Sequence, residues 1–212
     1  MEPFIRNHHF NFIKQQVYQV LYQINSVKDP EIIEAVKLSA REKVFNMFPD
    51  MTIEQQALLR PIAKMRKEEE FSNYLDMLSI YRTKFPKLNT KKLQSLFPKV
   101  KKLKMPKLEL DYKSLTYIGW KDYSSNTIYL VYEMDSELIG IEGKYTPIRQ
   151  KNMCSLCNQY ERVALVTAVN KETSSVDAYK AYGNYMCIDS DQCNRNIIDV
   201  TNLENFVARI IG

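Results

Sequence analysis

The only four cysteines in the 212 residues fall into two close pairs, Cys154-x2-Cys157 in "NMCSLCNQY" and Cys187-x5-Cys193 in "YMCIDSDQCNRN". Thiols at this spacing support three chemistries. Two thiolates three positions apart can meet one ion across a tight turn. Two such pairs, separated by a structured insertion, are a standard way of assembling four sulfurs around zinc. A lone CxxC also suits a redox pair, which needs a thiol of depressed pKa. The third reading is four ordinary buried thiols. The pairing of every cysteine in the chain favours the metal, although x5 departs from the commoner second CxxC. Four thiolates complete a tetrahedron, with Zn–S near about 2.3 Å, and leave no position for water or substrate. Such a site holds structure and does not catalyse. Its binding free energy, on the order of 10 kcal/mol, makes the metal an expected part of the surrounding domain's folding.

Other reactive groups are scarce. His8 and His9 are the only histidines; they are adjacent, far in sequence from the cysteines, and read as surface or helix-start residues. No HxE precedes a PCxxC, so the zinc deaminase arrangement is missing. HExxH and GxSxG are missing too. With 5 glycines in the chain there is no GxGxxG or GxxxxGK to cradle phosphate. Asp189 and Asp191 fit a turn and a helix start better than acid–base work. The expectation is a binding protein, not an enzyme.

The elements that must position the cysteines follow from composition and periodicity. Hydrophobic residues make up 45% and charged residues 26%, a soluble globular profile. No apolar run approaches the roughly 20 residues needed to span a bilayer, and "MEPFIRNHHFNFIK" lacks the layout of a signal peptide. A cytoplasmic protein is expected, in a compartment that keeps thiols reduced. The net charge of +5 is unevenly placed. Residues 1–83 are neutral, residues 84–112 carry +7 with 9 lysines, and residues 113–212 carry −2.

The chain divides accordingly. Residues 1–83 predict an antiparallel helical bundle. Asn7 is the first expected cap, with Phe10, Ile13, Val17, Val20 and Ile24 on one stripe. Asp29-Pro30 opens a second helix, and Thr52 with Gln55 forms a capping box for a third. Pro61 bends or restarts the chain before Phe71, Leu75 and Leu78. Residues 84–112 form a basic connecting segment with three prolines and a short helix over Thr90–Phe97. Residues 113–212 predict a small antiparallel-sheet domain. Its strands are "LTYIGW", "TIYLVYEM", "LIGIEGKY", "ERVALVTAV" and "DAYKAYGNYMC", with "SSN" and "DSE" as turns. Thr201 and Glu204 make another capping box for a final helix. The fold class is α+β.

Several of these stretches resemble one family. "FNFIKQQV", the lysine-rich "FPKVKKLKMP", "YIGW" and the Cys-x2-Cys…Cys-x5-Cys ending are similar to those of the elongation factor G-binding proteins. That family includes the FusB-type fusidic acid resistance proteins, and the resemblance covers nearly the whole chain. It implies a helical N-terminal domain and a C-terminal domain with a treble-clef-like site for one structural Zn2+ held by Cys154, Cys157, Cys187 and Cys193. It also implies binding to the C-terminal domains of elongation factor G, release of that factor from the ribosome, and protection of translation from fusidic acid. Partner contacts carry over by spacing to Met153, Tyr182, Tyr185 and Phe206. The alternative is a ribosome-associated zinc protein that contacts RNA through Lys99, Lys101, Lys102 and Lys104.

Overall fold

The computed structural model describes residues 1–103, 110–170 and 180–212. The chain forms two compact units, Met1–Thr83 and Lys84–Gly212.

The first unit is helical: α1 Asn7–Ser26, α2 Pro30–Asn46, α3 Ile53–Leu59 and α4 Glu68–Ile80. Ile13, Val17 and Val20 of α1 share a core with Ala40 and Val44 of α2 and Phe71, Tyr74 and Leu78 of α4. These apolar positions recur at helical spacing, so each helix buries one stripe. Asp29 caps α2 by accepting a hydrogen bond from Glu31 N at 2.9 Å, with Pro30 in the first turn. Thr52 and Gln55 exchange the two bonds of a capping box, at 2.9 and 3.2 Å. Pro61 falls in a 3-10 turn, Arg60–Ala63, that follows α3 directly. Tyr74, whose hydroxyl donates to Leu59 O at 3.0 Å, ties α4 to the end of α3. The start and end of the unit are joined by Thr83 N donating to Ile5 O at 2.9 Å.

Two readings of α1 are corrected. Asn7 is its first residue, not its cap; the Asn7 side chain accepts from Arg82 Nη2 at 2.9 Å instead. His8 and His9 lie in the first turn of α1, as helix-start residues, and are not surface groups. His8 is buried, and the His9 ring packs edge-on to Phe48 with centroids 4.6 Å apart. Burial, then the neighbouring His8, pushes His9 down to about 3. His9 therefore folds neutral, and below its ordinary pKa of about 6.5 the unfolded chain takes up a proton that the folded one refuses. The part of the stability that depends on a neutral His9 is full above pH 6.5 and is lost as pH falls towards 3.

The second unit is a five-stranded antiparallel meander: β1 Tyr117–Asp122, β2 Thr127–Met134, β3 Glu137–Met153, β4 Tyr160–Val169 and β5 Ala181–Cys187. Helix α5 (Thr90–Leu96) precedes the sheet; α6 (Ser190–Asn196) and α7 (Thr201–Ile211) follow it. Met134 pairs with Glu137 across Asp135-Ser136, both at positive φ (50° and 66°), which matches a two-residue hairpin turn. Period-2 alternation gives the sheet two apolar faces. Leu130, Tyr132, Ile141, Val166, Ala168 and Met186 pack with α7 residues Leu203, Phe206, Val207 and Ile210. Ile118, Trp120, Tyr129 and Val131 pack with Phe85, Leu88, Leu93 and Phe97. Residues 84–103 are thus built into the second unit. Trp120 stacks on Tyr129 at 5.2 Å, and Phe97 meets both edge-on.

Other expectations shift. β3 runs eight residues past Tyr145, with a register break between Pro147 and Lys151, because β4 keeps supplying partners beyond it. The early part of "DAYKAYGNYMC" lies outside the described residues, and β5 begins at Ala181. Thr201 and Glu204 form no capping box. Asp199 accepts from Thr201 N at 2.9 Å, and Glu204 accepts from the buried Tyr132 hydroxyl at 2.8 Å. A phenol in a core needs a partner, and that need outcompetes the helix end.

Two measurements check this packing. A Cβ at Gly140 would lie 2.8 Å from Leu96 O and 2.9 Å from Leu96 Cβ. Gly140→Ala should destabilise the protein by about 1–3 kcal/mol through overpacking, read as a lowered urea midpoint. His9→Gln should reduce the loss of stability between pH 7 and pH 4 relative to the native chain, read by pH-dependent thermal melts.

Candidate metal centre and the surface around it

Cys154 and Cys157 sit on the turn between β3 and β4. Cys154 N donates to Gln159 O, and Asn158 N donates to Cys154 O, both at 2.9 Å. Asn158 takes φ 54°, a left-handed conformation that asparagine tolerates and a β-branched residue resists. Cys187 ends β5, where its N–H points at Cys154 Sγ at 3.3 Å. Cys193 comes from α6, whose start Asp189 caps through hydrogen bonds from Asp191 N and Gln192 N.

Helix α6 is held on the β1 edge by a buried amide. Asn194 Oδ1 accepts from Thr116 N at 2.7 Å and Tyr117 N at 3.2 Å, and Nδ2 donates to Tyr117 O at 2.9 Å. Ser190 Oγ donates to Gly119 O at 2.8 Å. The approach is close enough that a Cβ on Gly119 would lie 3.1 Å from Ser190 Cβ, which accounts for the glycine in "YIGW".

These contacts bring all four sulfurs within 4.8 Å of one another, every cysteine buried. Cys154 and Cys193 sulfurs are 3.9 Å apart, Cys157 and Cys187 sulfurs 3.7 Å. Four sulfurs about 2.3 Å from a central zinc are about 3.8 Å apart along each tetrahedral edge. A disulfide requires about 2.05 Å, and all four cysteines are free. The donor set therefore fits one zinc ion in a closed site. The electrostatics agree. Side-chain hydrogen bonds, first from Cys157, pull the Cys154 thiol far down. Hydrogen bonding to Cys154, then to Cys157, followed by burial and the Cys154 charge, pushes Cys187 and Cys193 far up. Four crowded thiolates repel one another, and a divalent cation offsets that repulsion. The ring of Tyr117, fully enclosed beside the sulfurs, keeps its phenol protonated through burial.

The four positions assigned to partner contact separate. Met153 immediately precedes the knuckle and is 50% exposed. Tyr185 is 39% exposed, and its carbonyl accepts from Ser155 N at 2.7 Å. These two flank the metal turn. Tyr182 is three positions from Tyr185 on β5 and leaves the opposite face, half-buried with the Arg209 guanidinium 5.9 Å from its ring. Phe206 is 2% exposed and belongs to the core under the sheet. Sequence reasoning missed Tyr160, which pairs directly with Met153 and is 64% exposed, and Leu165, which pairs with Tyr185. A tyrosine two residues beyond a knuckle asparagine was the available signal for the first. Lys99, Lys101 and Lys102 are exposed; Lys104 lies outside the described residues.

Known proteins place the chain. One family model, for the N-terminal part of elongation factor G-binding proteins, matches residues 4–86, and another, described as the FBP C-terminal treble-clef zinc finger, matches residues 95–208. The chain belongs to the elongation factor G-binding protein family. A solved structure titled as that of the fusidic acid resistance protein FusC superposes with TM-score 0.81 at 30% identity, covering 99% of this chain and 98% of that one. No curated protein sequence matches significantly. The four-cysteine cluster is accordingly the zinc site of the family's treble-clef finger. No helix among the described residues is long and apolar enough to cross a membrane.

Metal removal tests the site. Natively purified protein should carry one zinc per chain by elemental analysis. Cys193→Ser should lower that content, and a strong chelator should lower the melting temperature of the native chain. Zinc affinity should fall as pH falls, because each ligand must lose a proton to bind. Asn194→Ala should weaken zinc retention without touching a ligand, since it frees α6 from β1.

Proposed function

We propose that this protein binds elongation factor G through the surface ordered by its zinc site and promotes the factor's departure from the ribosome, protecting translation from fusidic acid. The observation that carries the reading is the exposure of Met153, Tyr160 and Tyr185 on strands that meet at the metal turn, Met153 and Tyr160 paired on one face of the sheet and Tyr185 on the other. Large amphipathic rings and an adaptable thioether are the groups that concentrate binding energy at protein interfaces. Membership of the family and likeness to a fusidic acid resistance protein support the partner and the setting.

The zinc positions this surface and takes no part in turnover. Phe206 backs the sheet from its core, and Tyr182 with Arg209 offers a second, more recessed contact to the C-terminal domains of the factor. The ribosome is met through the factor, in the cytoplasm. Release requires preference, not affinity alone. A binder with equal affinity for the trapped and departing states of the factor moves nothing. Shifting a population from 1:99 to 99:1 takes about 5.5 kcal/mol of preference, within the range of an ordinary protein interface.

Calorimetry with purified elongation factor G should give a one-to-one complex. Tyr185→Ala should weaken it by about 30-fold, about 2 kcal/mol as for a central interface residue, while zinc content and melting stay native. The same variant should fail to restore fusidic acid-inhibited translation that the native protein restores. Absence of a complex at micromolar concentration would refute the reading.

A further inference from the structure

The described part of the lysine-rich segment, residues 84–103, carries seven lysines and no acidic residue. Every one of the seven is exposed. The apolar residues between them are not: Phe85, Leu88, Leu93 and Phe97 are buried against Ile118, Trp120, Tyr129 and Val131. One side of the segment is therefore anchored to the sheet, and the ammonium groups leave from the other. Among the described residues none of the seven enters an ion pair. Elsewhere the molecule mixes its charges, so this face is a local excess of unpaired positive charge on a rigid support.

We propose that this face binds the phosphate backbone of RNA. The composition of the face selects the partner. Its cations are all lysine, with no arginine between residues 84 and 103. Lysine acts as a point charge on phosphate, whereas paired recognition of carboxylates on an acidic protein favours the arginine fork. A membrane surface would need apolar side chains free to insert, and here those side chains are committed to the core. No aromatic residue of the segment is exposed to stack on bases, so the contact reads backbone and not sequence.

The test is fluorescence anisotropy of a labelled RNA hairpin titrated with intact, zinc-loaded protein. Engagement of about four lysines gives a slope of about −3.6 in log affinity against log salt, a loss of about 150-fold between about 50 and about 200 mM. Lys99→Glu combined with Lys101→Glu and Lys102→Glu should weaken RNA binding at least tenfold (~10-fold or more), with native zinc content, native melting and unchanged binding of elongation factor G. Hairpins of unrelated sequence should bind alike. The proposal is overturned if the native protein leaves the hairpin unbound at tens of micromolar in low salt, or if the triple variant binds it as well as the native chain. Tighter binding to poly-glutamate or to phosphatidylserine vesicles than to the hairpin also overturns it, and assigns the face to an acidic polypeptide or a lipid surface. Loss of elongation factor G binding by the native protein would instead refute the function proposed above and leave the RNA result standing.

Discussion

Four sulfurs from three separate pieces of chain meet within 4.8 Å, and the surface of the second unit depends on that meeting. One pair comes from the turn joining β3 to β4, the third sulfur from the end of β5, and the last from a seven-residue helix. None of these pieces could hold its position alone. A turn is mobile, a strand end frays, and a helix of two turns is marginal in water. A common ion converts three weak local preferences into one rigid corner. The hydrogen bonds around it, Cys187 N to Cys154 Sγ and Ser155 N to Tyr185 O, then fix backbone that carries exposed side chains.

The sheet serves this corner from two sides. On one face α7 lays Leu203, Phe206, Val207 and Ile210 beneath the strands. On the other, residues 84–103 cover β1 and β2 through the Phe97, Trp120 and Tyr129 ring cluster. The same segment thereby performs two tasks with alternate residues. Its apolar side chains complete a core, and its lysines are presented outward. The first unit is held by helix stripes and by a few hydrogen-bonded ties such as Tyr74 to Leu59 O and Arg82 to Asn7, and its caps and its neutral His9 matter to it locally.

Burial separates Phe206 from the other expected contact positions. The family resemblance implies partner contact there, and the side chain is 2% exposed, inside the core under the sheet. Tyr160 shows the converse. It is an ordinary tyrosine in sequence, and strand pairing alone sets it opposite Met153.

The sequence by itself determined the division into a helical and a sheet unit, the α+β class, most strands, two of the helix caps and the four metal ligands. These are local facts, legible because hydrophobic period, turn chemistry and cysteine spacing act over a few residues. Tertiary structure alone decided the rest. Asn194 bridging α6 to β1 spans 77 residues to Tyr117, and nothing near "CNRN" announces it. Glu204 left its expected cap for the Tyr132 hydroxyl 72 residues away, and Asn7 left its own for Arg82. The extension of β3 past Pro147 rests on partners in β4, and which of Tyr182 and Tyr185 is covered, on the opposite faces that strand alternation gives them, depends on the side of the sheet α7 packs against. In each case a buried polar group or an open strand edge found its partner through space, and distance along the chain carries no record of that choice.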